Sequence, residues 1–234
     1  MIAEKTSLIF LPGLLNDEAL WALQIVDQAD IANASVGDLT QDDSIAGMAR
    51  RVLSQAPDRF ALAALSMGGY VAFEIMRQAP ERVSRLALFD TSAAPDDEER
   101  NAQRRANIES LKFGRFVGVT NRLLPRLIHS SKLGTSVATV VQEMALRIGG
   151  EAFIRQQTAI LERPDARALL ASIKVPTLVA VGDSDVMTPP PHAREIHQGI
   201  RNATLHVFKD CGHLPALELP GETSTLLRTW LQTP

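Results

Sequence analysis

The chain reads as an α/β protein built on a mostly parallel sheet, and three observations predict it. Short apolar runs alternate with stretches of helical spacing along most of the chain, the rhythm of strands joined by crossover helices. The run Phe60-Ala61-Leu62-Ala63-Ala64-Leu65 is apolar at every position, as in a strand covered on both faces. It leads directly into Ser66-Met67-Gly68-Gly69, after which Val71, Ala72, Ile75, Met76 and Ala79 repeat at helical spacing until Pro80 forbids continuation. A serine at such a turn is pushed out of the sheet on a strained backbone. The small residues at 64, 68 and 69 let strand and helix approach closely enough to hold it there.

The other elements follow in order. Leu8 to Leu11 is a first strand, and Pro12-Gly13-Leu14-Leu15 is the loop after it. Asn16 is placed to cap the next helix, with Asp17 and Glu18 in the first turn, where the dipole favours acids. A weaker strand is expected near Ile31 to Val36, and the stripe Ile45, Met48, Ala49, Val52, Leu53 makes a helix that ends at Pro57. Val83 to Phe89 is a strand ending at Asp90. Residues 96–163 then carry helical patterns and no strand-like run, which marks an insertion between core parts at 1–95 and 164–234. Its clearest helix carries Val137, Val140, Val141, Met144, Ala145 and Ile148, closed by Gly149-Gly150; Phe153, Gln157, Ile160 and Leu161 begin another, and Leu111, Phe113, Phe116 and Val117 form an apolar segment before it. Most of these are core residues, with Met144 and Phe116 the candidates to line a substrate pocket. Alternation resumes with a strand at Val175 to Val181, a helix at Pro189 to Ile200, a strand at Thr204 to Phe208 and a closing helix from about Glu222 to Leu231.

Composition limits what such a fold can do. An apolar share of 45% and a charged share of 22% over 234 residues supply a sizeable core in one domain. The net charge of −3, with no basic cluster, argues against a nucleic-acid or anionic-membrane surface and for a small partner that is neutral or weakly charged. A single cysteine, Cys211, excludes an intramolecular disulfide framework and suits a reducing, cytoplasmic setting. No apolar run approaches a membrane span, and the run from Ser7 to Leu15 is broken by Pro12-Gly13 and reads as strand and loop rather than as a leader. His192 and His197 are five apart on a helix and do not share a face as metal ligands would; His129 and His206 stand alone in sequence. No glycine-rich phosphate loop follows the first strand, so no metal and no cofactor is expected.

Two further strand ends carry the groups a nucleophilic serine needs. After Val181 comes Gly182-Asp183-Ser184-Asp185-Val186-Met187-Thr188-Pro189, and after Phe208 comes Lys209-Asp210-Cys211-Gly212-His213-Leu214-Pro215. In a parallel sheet these loops emerge on one edge, where ligands bind. A serine attacks only when a histidine takes its proton, and a buried carboxylate fixes that histidine's tautomer. Ser66, Asp185 and His213 stand in the order such a sheet requires. Asp90 and Asp183 also lie near strand ends and compete with Asp185 for the acid's place, whereas Cys211 is read as a small buried hydrophobe.

This set of motifs resembles the α/β-hydrolase family over nearly the whole chain. The family's Gly-x-Ser-x-Gly elbow is matched by Ala64-Leu65-Ser66-Met67-Gly68, its acid loop by Gly182 through Asp185 to Pro189, and its histidine loop by Gly212-His213 followed by Glu218 and Pro220. Leu11-Pro12-Gly13-Leu14, followed by Trp21, is similar to the family's oxyanion loop. The resemblance implies that the backbone N–H groups of Leu14 and Met67 receive the oxyanion and that 96–163 is a helical cap over the pocket. It also implies that the family's first two strands are missing, because only a few residues precede the first strand here, which leaves about six strands. The implied chemistry is hydrolysis of a small carboxylic ester, or of a lactone or thioester, through an acyl-serine. Carbon-carbon bond hydrolysis and cofactor-free peroxyacid formation use the same triad, and a small-molecule receptor with a slow hydrolase site is the reading from another class.

Overall fold

A computed structural model describes residues 5–233, with the side chains of Lys112 and Phe113 outside the described set; the expectation for Phe113 therefore lies outside it too. Six strands form one sheet in the order β2-β1-β3-β4-β5-β6. They are β1 (Thr6–Leu11), β2 (Ala32–Val36), β3 (Phe60–Leu65), β4 (Val83–Phe89), β5 (Thr177–Gly182) and β6 (Ala203–Phe208). Every pairing is parallel. The register sets Leu11 opposite Ala64, Leu65 opposite Phe89, Phe89 opposite Ala180 and Gly182 opposite Phe208, so the carboxyl ends of five strands form one row.

The continuous apolar strands follow from burial on two faces. Phe60, Leu62 and Ala64 of β3 pack into one core, whereas Ala61, Ala63 and Leu65 pack into the other. The first core is closed by α2 (Ile45–Gln55), α3 (Met67–Gln78), α7 (Arg167–Leu170) and α8 (Pro190–Gly199), which contribute Met48, Val71, Leu170 and Ile196 among others. α10 (Pro220–Gln232) contributes Leu227, Trp230 and Leu231 to the second, beneath which α1 (Ala22–Asp27) lies, and Trp21 stacks on Phe10 at 4.7 Å between centroids. Fully burying each such side chain stabilises the fold by roughly 1.5–3 kcal/mol.

Between β4 and β5 the chain is helical, in α4 (Glu98–Phe113), α5 (Leu124–Leu127) and α6 (Ser136–Leu161). The break expected at Gly149-Gly150 is present inside α6: Gly149 has φ 77° and ψ 173°, outside the helical region. One expectation is corrected nearby. Asp17, not Asn16, caps the turn Glu18–Trp21, its side chain accepting from the Ala19 N–H at 3.0 Å. Asn16 instead gives its own N–H to the Gly13 carbonyl in a tight turn. A short α9 (Pro215–Glu218) follows the loop after β6. No helix among the described residues is long and apolar enough to cross a membrane.

The backbone at Gly149 is one that only glycine adopts freely. Gly149→Ala is expected to lower the unfolding free energy by about 1–3 kcal/mol in urea titration; an unchanged midpoint would show that α6 can straighten without loss.

Candidate active site

Strand order places the site. The sheet reverses direction of winding between β1 and β3, where a crevice opens above neighbouring carboxyl ends. The loop after β1 and the turn after β3 therefore face each other. β3 stops at Leu65 and α3 starts at Met67, which leaves Ser66 alone to make the turn, at φ 53° and ψ −115°. That conformation costs roughly 1–3 kcal/mol for a non-glycine residue. Neighbouring strands hold it: the Ser66 N–H donates to the Phe89 carbonyl at 3.0 Å, and Thr91 Oγ1 donates to the Ser66 carbonyl at 2.7 Å. A Cβ on Gly68 would lie 2.5 Å from the Leu11 carbonyl oxygen, so only glycine lets α3 press this closely on the loop. Met67 is the first residue of α3, and its N–H has no acceptor within the helix.

The loop after β1 is held from above. Leu15, itself at φ 61°, donates its N–H to Gln156 Oε1 at 3.1 Å, and Gln156 Nε2 donates to the Leu39 carbonyl at 3.2 Å. Gln156 is fully buried on α6. A second tie joins Arg147 of α6 to Asp17 at 2.7 Å.

Asp185 and His213 meet across the loops after β5 and β6, with Asp185 Oδ2 at 2.8 Å from His213 Nδ1 and both side chains buried. Asp185 also accepts from the Met187 N–H at 2.7 Å and from Thr188 Oγ1 at 2.8 Å. Burial alone would raise its pKa; the attraction of His213 and these hydrogen bonds outweigh it and hold the carboxyl at about 2. The histidine loop is organised by buried Glu218, whose carboxylate accepts the N–H groups of Gly212, Leu214 and His129 at 3.0, 3.0 and 2.7 Å. The His213 N–H itself donates to the Leu127 carbonyl at 3.0 Å.

The competing acids occupy other roles. Asp183 Oδ1 accepts from Ser184 Oγ at 2.9 Å and from the Cys211 N–H at 3.3 Å, pinning one loop to the other. Asp90 is fully buried at φ 44°, and its Oδ1 accepts the Gly182 N–H at 2.9 Å. Its Oδ2 is buried with no hydrogen-bond partner. Burial and the neighbouring Asp185 charge push the Asp90 carboxyl well above the ordinary range. Asp90, Asp185 and His213 have donor atoms within 4.8 Å of one another, the one three-donor group among the described residues with metal-binding spacing. Its Asp185–His213 edge is the hydrogen bond just described. Cys211 is buried, and burial raises its thiol far above the usual range, as befits a packing residue.

Away from Ser66 and His213, Ser92 Oγ meets His192 Nδ1 at 3.1 Å in a different setting. Ser92 Oγ also accepts the Ala94 N–H at 3.1 Å, closing a turn, and burial followed by Arg100 lowers the His192 pKa. His206 pairs with Glu222 at 3.0 Å on the partly exposed β6.

Ser66, His213 and Leu14 open on a cavity of about 250 Å³. Val141, Phe153 and Ile160 of α6 form part of its wall, and the polar residues Arg100, Arg104, Gln157 and Arg126 form another part. Two sequence expectations are corrected here. Met144 does not line the cavity, since it is fully buried in the core beneath α6, and Phe116 stands behind Phe153 at 5.7 Å between ring centroids. The helical stripe identified the buried face of α6; the polar wall from α4 carries no apolar signal and was invisible to periodicity.

A strained serine after β3 and a buried acid–histidine pair after β5 and β6 share one edge of a parallel sheet, an arrangement of the kind serine hydrolases use. The model of the α/β-hydrolase fold matches residues 26–220, and the chain belongs to that family. It is 30% identical over 190 residues to a pimeloyl-acyl-carrier-protein methyl ester esterase of Nitrosomonas europaea, covering 76% of this chain and 73% of the relative. A thermophilic esterase from Thermogutta terrifontis superposes with a TM-score of 0.88 at 28% identity, covering 97% of this chain and 89% of that one. The enol-lactonase of Burkholderia xenovorans shares the fold with a TM-score of 0.85 at 20% identity, over 99% and 93% of the two chains. Membership of this family, with relatives named as esterases and hydrolases, identifies the chain as an α/β-hydrolase enzyme.

The raised pKa of Asp90 has a stability consequence. The unfolded chain releases this proton near pH 3.9 and the folded chain at a higher pH, so stability falls as pH rises above about 4. Asp90→Asn keeps the shape without the titration. Its stability relative to the parent is expected to grow from pH 4 to pH 7 in urea titrations at several pH values; a constant difference would place an ionised Asp90 in the fold.

Proposed function

We propose that the protein hydrolyses a carboxylic ester through an acyl-Ser66 intermediate. The observation that carries this reading is the 2.8 Å contact between buried Asp185 and His213, on a cavity that His213 shares with Ser66. Asp185 holds the Nδ1–H tautomer, which leaves Nε2 to take the Ser66 hydroxyl proton as Oγ attacks the ester carbonyl. The oxyanion receives the N–H groups of Leu14 and Met67. His213 then gives its proton to the leaving alkoxide, and the same base activates water to release the acid. Loss of one oxyanion donor typically costs about a hundred- to a thousandfold in rate. Residues 96–163 act as a cap over the two core parts at 1–95 and 164–234. The methyl ester named for the Nitrosomonas relative supports a small alcohol leaving group here.

Two experiments test the assignment. A fluorophosphonate probe is expected to label one serine, Ser66, and Ser66→Ala to abolish labelling with the fold intact; labelling of Ser184 or Ser92 instead would refute the nucleophile. Asp185→Asn should lower turnover by about 10⁴, the effect of favouring the wrong histidine tautomer. Asp183→Asn and Asp90→Asn should each cost less than about tenfold, because neither carboxyl touches the imidazole. A crippled Asp90→Asn beside an active Asp185→Asn would move the acid to β4.

A further inference from the structure

The face that α4 turns to the cavity is polar where an amphipathic helix would bury an apolar stripe. Arg100, Gln103, Arg104 and Asn107 all line the cavity, at the spacing i, i+3, i+4, i+7. The acids of the same helix, Glu98, Glu99 and Glu109, are exposed, and none lines the cavity. Arg126 joins the lining from α5, so among the described residues three arginines and no carboxylate face the space, in a chain whose net charge is −3.

The acid paired with Arg104 is already shared. Asp96 is buried between Arg104 at 2.5 Å and Arg163 at 2.9 Å, and these two cations hold its carboxyl at about 2 against the effect of burial. One negative charge thus serves two guanidinium groups, and the cluster keeps a net positive charge. Arg163 also lies 4.2 Å over the ring of Tyr70, which lines the cavity. Arg104 is fixed as well by its bond to Gln157 Oε1 at 2.7 Å, and Arg100 by its bond to the Met187 carbonyl at 3.0 Å. Guanidinium groups held in place by neighbours lose little freedom on meeting an anion, and such charge-assisted bonds are among the stronger ones.

We propose that Arg100, Arg104 and Arg126 bind an anionic group of the substrate, a carboxylate or phosphate remote from the scissile ester. This names the substrate class of the hydrolase reading and rests on it. It replaces the neutral or weakly charged partner that composition suggested, because the positive charge is local to one wall and vanishes in the sum over the chain.

The test compares the methyl esters of a monocarboxylic acid with monomethyl esters of dicarboxylic acids from four to eight carbons, and with a methyl ester ending in a phosphate. The intact protein is expected to favour an anionic ester in kcat/KM by about ten- to hundredfold over its neutral match. Added salt should shrink the ratio, and Arg104→Gln or Arg126→Gln should bring it towards one. The carboxylate and phosphate arms tell the two anions apart, and the preferred chain length reports the reach from Ser66 to the arginines. A neutral ester preferred throughout, or a ratio untouched by both substitutions, overturns the proposal. An independent arm uses Ser66→Ala: adipate or inorganic phosphate should raise its Tm more than hexanoate does, and Arg104→Gln on that background should remove the difference. No anion-specific shift overturns the anion site even if esters are cleaved. A shift without Ser66-dependent cleavage of any ester leaves the anion site standing and refutes the hydrolase reading.

Discussion

Parallel pairing is the constraint from which the site descends. Each strand of a parallel sheet must be followed by a crossover, so every carboxyl end emerges on the same edge. With β1 and β3 adjacent and wound in opposite directions, the loop at Leu14 and the turn at Ser66 become neighbours without any contact having to draw them together. The register then carries β4, β5 and β6 past them in sequence, which delivers Asp90, Asp185 and His213 in the order in which the chain makes them. Close packing finishes the arrangement. The missing side chain at Gly68 lets α3 touch the Leu11 carbonyl, so the strain at Ser66 is fixed by backbone on both sides.

That edge gathers three buried carboxyl groups, and their surroundings separate their functions. Asp185 accepts from two backbone N–H groups, a threonine hydroxyl and an imidazole, so its charge is dispersed over four donors. Glu218 spends its oxygens on three backbone N–H groups and thereby shapes the histidine loop. Asp90 has one such donor, none aimed at its second oxygen, and the Asp185 charge beside it, and burial with that charge raises its pKa. Position at a strand end does not make an acid; the number of donors aimed at it does.

The strands, the turn at Ser66 and the chain order of Ser66, Asp185 and His213 were legible because each rests on local pattern: continuous apolar runs, glycines after a serine, loops after Val181 and Phe208. Gly149 was legible for the same reason, since only its backbone freedom fits a break there. What pattern could not supply was the facing of polar side chains. Periodicity marked Met144 as apolar and inward, which is true, but inward meant the core beneath α6 and not the cavity. α4 shows the converse failure. A largely polar helix offers little hydrophobic face to read, and its orientation is decided by contacts to other segments such as Arg104–Gln157. The helix cap at Asp17 was missed by one residue, because Asn16 and Asp17 are chemically equivalent caps and only the turn at Gly13 chooses between them.

The helices between β4 and β5 do more than wall the cavity. Gln156 reaches from α6 to the Leu15 N–H and the Leu39 carbonyl, and Arg147 reaches from the same helix to Asp17, so α6 grips the loop after β1 at two places. Gln156 is fully buried, and its amide cannot leave both groups without stranding polar atoms away from water. The exposed Arg147 pair adds little by itself. The buried amide is therefore the tie that sets where the loop stands against Ser66, and it lies next in sequence to Gln157, which holds Arg104 in the cavity wall. One stretch of α6 thus positions both the loop near Ser66 and Arg104 in the cavity wall. A shift of α6 relative to the sheet would move both together, which couples the two ends of the cavity through a single helix.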